Sequence, residues 1–138
     1  VSIENKKISE IKKGLIIFLG VEEKDDFSDI NWLVNKVFSL RIFSDENNKM
    51  NLSVEQVSGE IMVVSQFTLH AKVKKGNRPS FIKSARSDKA NDLYEKFILE
   101  LSKVSKCKIK KGKFGADMKV AIVNDGPVTI LIDSKNKE

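Results

Sequence analysis

Residues 65–68, Ser-Gln-Phe-Thr, are the first whose types suggest chemistry, because they follow a buried-looking apolar run and carry two hydroxyls and an amide. A strand that leaves the core can turn its last backbone N–H groups toward a cleft, where they hold an oxyanion without an ionisable side chain. A plainer interpretation is that Ser65 and Gln66 end the strand and that the next two residues pack and begin an edge. The residues alone leave both interpretations open.

The chain offers few side chains for acid–base or nucleophilic catalysis. His70 is its one histidine and Cys107 its one cysteine, so a Ser-His-Asp or Cys-His arrangement would have to use one of them. His70 could act as a base, but a lone histidine at a strand exit is more often solvated or packed. For Cys107 we expect a semi-buried strand position. This composition excludes an internal disulfide and a Cys/His zinc cage, and we expect no metal and no cofactor.

Two further stretches resemble functional loops only weakly. Residues 124–127, Asn-Asp-Gly-Pro, have the composition of a turn, and nothing local predicts a cis bond between Gly126 and Pro127. A glycine before proline does leave the backbone carbonyls unobstructed. Residues 74–80 lack the spaced glycines of a phosphate-binding loop.

Positive charge is concentrated in two stretches of the sequence. The net charge is +6; residues 72–89 hold seven Lys or Arg against one acid, and residues 103–119 hold another seven against one acid. Such patches suit a polyanion such as a nucleic-acid backbone, although a lysine-rich face can also serve solubility alone. No apolar run approaches the roughly 18 residues that a membrane span needs, so we expect no membrane partner.

The elements that position these residues alternate between strands and helices. The pattern predicts a buried strand at 15–19, a helix at 27–38 capped by Asp25 or Asp26, and a buried strand at 61–64. It predicts a second amphipathic helix at 90–104 with Ser87 as its N-cap. The weaker predictions are a hairpin of 1–4 with 8–11, a strand at 40–43, a polar loop at 44–51, strands at 107–110, 120–123 and 128–132, and a frayed tail at 134–138. Together they predict one α/β domain with a mixed sheet.

Four motifs in order resemble a known family. They are SQFTL at 65–69, KGNRPSF at 75–81, GKFGADM at 112–118 and NDGPVT at 124–129, and they closely resemble the D-aminoacyl-tRNA (D-tyrosyl-tRNA) deacylases over residues 1–133. The resemblance implies a single deacylase domain over 1–138, with a mixed, mostly antiparallel β-sheet, a barrel-like core and two main helices. It also implies a cytoplasmic homodimer that hydrolyses the ester of D-aminoacyl-tRNA, and of glycine mischarged on tRNA for alanine.

The resemblance implies a site made by two subunits. The catalytic pocket would consist of Ser65, Gln66, Phe67 and Thr68. Into it the partner would insert Gly126 and Pro127, joined by a cis bond, whose carbonyls would hold the amino group and exclude an L side chain. The remaining substrate-binding positions of the matching motif are Asn124, Val128 and Thr129.

Hydrolysis in the family is attributed to water attack assisted by the terminal ribose 2′-hydroxyl of tRNA. Backbone N–H groups near Phe67 and Thr68 would stabilise the oxyanion, whereas an older proposal makes the threonine a nucleophile; we favour the first because Thr68 has no evident general base. The residues expected to contact tRNA phosphates are Lys72, Lys74, Lys75, Arg78 and Lys83.

Two alternatives remain, and one feature departs from the family. The alternatives are a non-catalytic domain that binds the tRNA 3′ end, as an editing-like domain would, and a small hydrolase of free D-amino acid esters for which the cations are incidental. Family members usually begin with a further strand before the first hairpin; this sequence starts at Val1 without it. We therefore expect that strand to be missing and one edge of the core to be exposed.

Overall fold

A computed structural model describes all 138 residues, Val1–Glu138. The elements in chain order are β1 (Ser2–Ile3), β2 (Lys6–Lys7), β3 (Gly14–Leu19), α1 (Phe27–Ser39), β4 (Phe43–Ser44), β5 (Met50–Leu52), β6 (Glu60–Ser65), a 3₁₀ turn (Phe67–His70), α2 (Ser87–Val104) and β7 (Ile109–Lys111). The mixed α/β class with two main helices is confirmed. No helix is both long and apolar enough to cross a membrane.

The central sheet has the strand order β3-β6-β7, and both pairings are parallel. Parallel neighbours need a crossover connection, and α1 and α2 lie in the two connections, between β3 and β6 and between β6 and β7. Antiparallel pairing is limited to β1 with β2 and β4 with β5. The sheet is therefore neither mostly antiparallel nor closed into a barrel within one chain, which corrects that part of the expectation.

Helix α1 begins where the sequence predicts. Asp26 is the N-cap: its carboxylate accepts a 2.8 Å hydrogen bond from the Ser28 amide, and the Asp29 carboxylate accepts a 2.9 Å bond from the Asp26 amide. This reciprocal pair is a capping box, built here from two aspartates. Ile30 and Val34 are buried in the core.

Helix α2 packs its apolar face on β6. Leu93, Tyr94, Phe97 and Leu101 are buried, and the Tyr94 hydroxyl donates a 2.9 Å hydrogen bond to the Val63 carbonyl in the middle of β6. Burial raises the pKa of Tyr94 to about 12. The predicted cap is wrong: the N-cap is Arg86, without a side-chain hydrogen bond, and Ser87 is already helical.

Residues 120–123 and 128–132 form no strands, contrary to their β-branched composition. Ser2 and Lys119 exchange two backbone hydrogen bonds of 2.9 Å, and beyond that bridge the segment pairs with no other strand. Val123 is 96% exposed and Leu131 is 85% exposed. β propensity measures fit to a pleated, covered surface, and no strand of this chain lies beside these residues to supply one.

Smaller differences concern short elements and the tail. The first hairpin turns at Glu4 and Asn5, whose positive φ angles of 48° and 62° allow a tight two-residue turn, so its second strand is β2 and not 8–11. The strand predicted at 40–43 is β4, which begins only at Phe43, and β5 extends into the predicted polar loop. The strand expected at 107–110 is β7, which begins two residues later and ends one residue later, at Ile109–Lys111.

The C-terminal tail contacts α1 instead of fraying. The Lys135 ammonium group lies 2.7 Å from the Asp29 carboxylate, and the Lys137 ammonium group lies 4.8 Å from the centre of the Trp32 ring. Charge attraction and a cation–π contact therefore hold a segment that has no apolar residues of its own.

Candidate active site

Strand β6 carries the chain from the core to the surface. Val64 is buried, Ser65 and Gln66 are half-buried, and Phe67 is 57% exposed. The Gln66 amide still donates a 2.8 Å hydrogen bond to the Leu19 carbonyl, which extends the ladder by one residue. The chain then bends into the 3₁₀ turn, so the Ser-Gln-Phe-Thr segment lies at the carboxyl end of a parallel strand, where α/β sheets commonly bind ligands.

The 3₁₀ turn leaves two adjacent backbone N–H groups unpaired. The first intraturn bond runs from the Leu69 amide to the Gln66 carbonyl at 3.4 Å, and the amides of Phe67 and Thr68 precede it. The first amides of a helical turn have no acceptor within it. Both residues are exposed. Two such donors side by side suit an oxyanion that forms when a carbonyl is attacked.

Residues from the following loop hold the start of this turn. The Ser84 hydroxyl donates a 3.0 Å hydrogen bond to the Phe67 carbonyl. The Phe67 ring meets the Phe81 ring edge to face, with 4.9 Å between centroids and an interplanar angle of 72°. The turn therefore presents its amides from a braced backbone, although its side chains are largely exposed.

The Thr68 hydroxyl is hydrogen-bonded to a side-chain amide and has no base beside it. The Gln66 side-chain amide donates a hydrogen bond to the Thr68 hydroxyl oxygen, and no carboxylate or imidazole hydrogen-bonds to that hydroxyl. An amide cannot remove the hydroxyl proton, so a nucleophilic role for Thr68 has no activating partner in this chain.

His70 is turned away from the exposed side of the turn. Its Nδ1 lies 3.3 Å from the Glu22 carboxylate, which also lies 3.7 Å from the Lys83 ammonium group. Its Nε2 is buried and makes no hydrogen bond within the protein. Neither ring nitrogen is therefore open to a substrate, which argues against His70 as the general base. No cluster of three or more His, Cys, Asp or Glu side chains is placed to hold a metal ion.

The Asn-Asp-Gly-Pro loop is held by its own asparagine. The Asn124 side chain donates a 2.9 Å hydrogen bond to the Thr129 hydroxyl and accepts a 3.2 Å bond from the Val128 amide. The Gly126–Pro127 bond is cis, and Gly126 has a φ of +130°. The Gly-Pro dipeptide is exposed and has no hydrogen bond to residues 65–68. Within one chain, therefore, no hydrogen bond joins the two predicted halves of the site.

The first basic stretch is free of acidic partners where it projects from the domain. Lys72 and Ser80 exchange backbone hydrogen bonds of 2.8 and 3.0 Å and close a loop. The exposed cations of this loop form no salt bridge; they are Lys72, Lys74, Lys75 and Arg78. In the second stretch, by contrast, Lys108 pairs with Glu60 and Lys111 pairs with Glu95. A group of four adjacent unpaired cations therefore follows the 3₁₀ turn in the chain.

Three residues that support the site were not predicted as such. Glu22, Phe81 and Ser84 touch the turn, yet each comes from a loop remote in sequence or from a motif recognised only by its resemblance. Periodicity reports which residues share a face of one element, and it carries no signal for contacts between loops.

Several known proteins that resemble this chain are deacylases of aminoacyl-tRNA. The family model for D-Tyr-tRNA(Tyr) deacylase matches residues 1–133. A D-aminoacyl-tRNA deacylase of Flavobacterium johnsoniae is 55% identical over 138 residues, which are 100% of this chain and 92% of that protein. One from Cytophaga hutchinsonii is 56% identical with the same coverage of 100% and 92%. One from Akkermansia muciniphila is 55% identical over 125 residues, 91% of this chain and 83% of that protein.

Two solved structures share the fold. The structure named c-Myc DNA Unwinding Element Binding Protein is 40% identical, has a TM-score of 0.89 and covers 94% of this chain and 87% of its own. A structure described as a "probable eukaryotic D-amino acid tRNA deacylase" is 18% identical, has a TM-score of 0.70, covers 84% and 83% of the two chains, and supports the fold alone. Because the family model spans nearly the whole chain and the curated relatives are more than half identical, the chain belongs to the D-Tyr-tRNA(Tyr) deacylase family and is a hydrolase that deacylates D-aminoacyl-tRNA.

Proposed function

We propose that the 3₁₀ turn at the end of β6 is the hydrolytic site and that it acts through its backbone. A water oxygen attacks the ester carbonyl carbon, and the amides of Phe67 and Thr68 hold the resulting oxyanion. The bond to the 3′ oxygen then breaks and that oxygen takes a proton, which releases a free D-amino acid and tRNA. The terminal ribose 2′-hydroxyl assists the attack, so the protein needs no acid–base side chain.

One observation carries this proposal: two exposed, adjacent amides stand at a strand end where no side chain is placed as a base. Thr68 is bonded to an amide, and both nitrogens of His70 are occupied or buried. The half-buried Ser65 and Gln66 would form the inner wall of the pocket. Such a site stabilises the transition state with dipoles that already point at the oxyanion. Water molecules would first have to reorient, which costs free energy.

The chiral filter in this proposal comes from a second subunit. The dipeptide Gly126–Pro127 is exposed and forms no hydrogen bond with residues 65–68 of its own chain. Exposed apolar side chains flank it on both sides and have no cover within one chain; they are Ile122, Val123, Ile130 and Leu131. A homodimer would cover such a surface and insert the loop into the partner's pocket. Asn124, Val128 and Thr129 would then hold the inserted carbonyls in place against the substrate amino group.

The basic loop would hold the tRNA, and glycine would escape the filter. Lys72, Lys74, Lys75 and Arg78 have no acidic partner, and Lys83 shares Glu22 with His70, so these cations are available to phosphates.

A filter that acts by steric exclusion of an L side chain cannot reject a residue without one, so glycyl-tRNA mischarged on tRNA for alanine becomes a second substrate. The cellular location that fits both substrates is the cytoplasm.

The proposal is tested by deacylation of D- and L-tyrosyl-tRNA side by side, with Gly126→Ala as the variant. The native protein should release D-tyrosine and spare the L ester. In the variant the D-to-L ratio or the D rate should fall, because Gly126 has a φ of +130° and an added Cβ would lie 2.9 Å from a Val128 methyl group. Gly115→Ala is the matched control, since Gly115 also has a positive φ, of +74°, but faces open space.

An unchanged rate and ratio in Gly126→Ala would contradict the role of the loop. The alternative of a non-catalytic domain that holds the tRNA 3′ end is favoured by one observation, the basic loop without counter-ions, and it predicts binding of D-tyrosyl-tRNA without turnover. A hydrolase of free D-amino acid esters would instead show activity that added salt leaves unchanged.

A further inference from the structure

His70 ends the same 3₁₀ turn whose first two amides form the proposed oxyanion site. Its ring folds back onto the end of β3, where a Cβ added to Gly20 would lie 2.8 Å from Nε2 and 3.1 Å from Cδ2. Only a residue without a side chain leaves the imidazole this position. The other side of the ring faces Glu22, with 3.3 Å between Nδ1 and the carboxylate oxygen.

The two ring nitrogens have different partners. Nδ1 faces the Glu22 carboxylate at 3.3 Å, and a carboxylate can only accept a hydrogen bond, so this nitrogen is the one placed to donate. Nε2 is buried without a hydrogen-bond partner. Buried polar atoms are nearly always paired, and leaving one unpaired costs about 1–3 kcal/mol. In this ring position Nδ1 contacts the Glu22 carboxylate while Nε2 is buried without a partner, so the contact is accompanied by an unfavourable burial.

Contacts at both ends tie the turn to the end of β3 and the residues just after it. The Gln66 amide, just before the turn, donates a hydrogen bond to the Leu19 carbonyl, and Nδ1 of His70, the last residue of the turn, lies 3.3 Å from the Glu22 carboxylate. Glu22 in turn forms a β-bridge with Ser84, whose hydroxyl bonds to the Phe67 carbonyl. The turn is thus held by a ring of contacts, to which its last residue contributes the imidazole that lies against Gly20.

We propose that His70, held by Glu22 against Gly20, is a positioning residue for deacylation that fixes the direction of the Phe67 and Thr68 amides. The inference rests on the proposed role of those two amides. His70 itself touches neither substrate nor reacting atoms. Misplacement of catalytic groups by about 1 Å can lower a rate by about 100-fold, so a contact that orients two donors can matter without chemistry of its own.

The test compares His70→Ala, His70→Asn and His70→Gln by steady-state hydrolysis of D-tyrosyl-tRNA. His70→Ala should lower kcat by about 10-fold or more and leave KM within about twofold, because tRNA affinity comes from the basic loop. The Asn side-chain amide occupies the place of Nδ1–H and can still donate to Glu22, so His70→Asn should recover most of kcat. The Gln amide lies nearer the place of Nε2, and His70→Gln should recover little. A role in folding alone would predict no such ranking.

A second pair of variants tests the contact with Gly20. Gly20→Ala should lower kcat by displacing the ring, whose Nε2 and Cδ2 would lie 2.8 and 3.1 Å from the added Cβ. In a His70→Ala background the same change should have a smaller further effect, because only the contact with the Gln66 carbonyl at 3.2 Å then remains. Glu95→Gln is the control, because it weakens a carboxylate–lysine pair between α2 and β7 that does not touch the turn. Additive losses in the double variant, or a kcat of His70→Ala within about twofold of the native value, would overturn the inference.

Amide hydrogen exchange separates this inference from the proposed site. The amides of Leu69 and Ala71 donate hydrogen bonds to the Gln66 and Thr68 carbonyls, so their exchange reports how firmly the turn is held. Their exchange should be faster in His70→Ala than in the native protein and near native in His70→Asn. Faster exchange with an unchanged kcat would overturn the oxyanion role of the turn, and with it the positioning role. Native exchange with a native kcat would overturn only the positioning role.

Discussion

At the scale of single residues, the side chains around the candidate site already have partners within the protein. Thr68 is paired with the Gln66 amide, His70 with Glu22, and the Phe67 carbonyl with Ser84, so the groups left free near the turn are two backbone amides. Side chains that usually perform acid–base catalysis are thus present but committed elsewhere.

The Thr68 hydroxyl is accordingly expected to assist and not to react. Thr68→Ala removes one hydrogen bond, worth about 1 kcal/mol, and should lower kcat by about fivefold, because both amides remain. The measurement is single-turnover hydrolysis of D-tyrosyl-tRNA, with Ser102→Ala on α2 as a hydroxyl control. Loss of all activity, together with an acyl-enzyme that hydroxylamine traps in the native protein, would show that Thr68 is a nucleophile.

At the scale of elements, the C-terminal tail and the start of α1 form one electrostatic unit. Lys135 lies 2.7 Å from Asp29 and 3.7 Å from Asp25. Burial acts to raise the pKa of Asp29, but hydrogen bonds from Lys135 and from the Asp26 amide outweigh it, so this pKa lies below its ordinary value. Burial raises the pKa of Asp25, and the hydrogen bond to Asp29 raises the pKa of Lys135. Lys135 of the tail thereby offsets the charge of the buried Asp29 in α1 and of the half-buried Asp25 just before it.

Replacing Lys135 with Met should destabilise the protein near neutral pH and much less in acid. A depressed carboxyl pKa contributes stability above its ordinary value of 3.8, and this is lost as the pH falls through the lower folded-state pKa. A raised lysine pKa contributes stability below 10.5, lost as the pH rises further. The expected result is a Tm lower by a few degrees at pH 7 and a difference that shrinks at about pH 3.

The control for this prediction is Lys137→Met, which removes the same charge from the same tail. Lys137 lies over the Trp32 ring and pairs with no carboxylate, so its effect on Tm should not depend on acid pH. An equal loss of Tm at both pH values in Lys135→Met would contradict the ion-pair account.

At the scale of the whole molecule, the two basic stretches have different roles although each holds seven cations. In the second stretch three of the seven cations pair with acids: Lys103 with Glu100, Lys108 with Glu60 and Lys111 with Glu95. The loop closed by Lys72 and Ser80 keeps its charges exposed. Exposed, unpaired cations attract phosphates most strongly because no protein carboxylate competes for them.

Substitution of two loop cations should therefore change the salt dependence of activity. Lys74→Gln with Arg78→Gln should raise KM and make the slope of log(kcat/KM) against log[salt] shallower by about 0.7–0.9 for each phosphate that the loop no longer neutralises. The matched control is Lys108→Gln with Lys111→Gln, which removes the same charge from cations already paired. Equal effects of the two double variants would mean that net charge alone, and not the loop, attracts the tRNA.

The sequence by itself determined the local elements and the family. Helical spacing of apolar residues predicted both helices, and Asp26 predicted the start of α1, because a helix face and its cap are set by residues within a few positions of one another. The apolar runs predicted β3 and β6 for the same reason. The four motifs identified the deacylase family, which the comparisons confirm.

Only the tertiary structure decided how those elements meet. Parallel pairing in the central sheet, the contact of Lys135 with Asp29 across 106 residues, and the closure of the turn by Glu22 and Ser84 join parts of the chain that no local pattern relates. The β-branched run after Lys119 failed to become strand because propensity needs a neighbouring strand, and packing decides whether one is there. Interactions between residues close in sequence set the conformation of a segment. The strands and loops that it packs against are set by the burial of the whole chain.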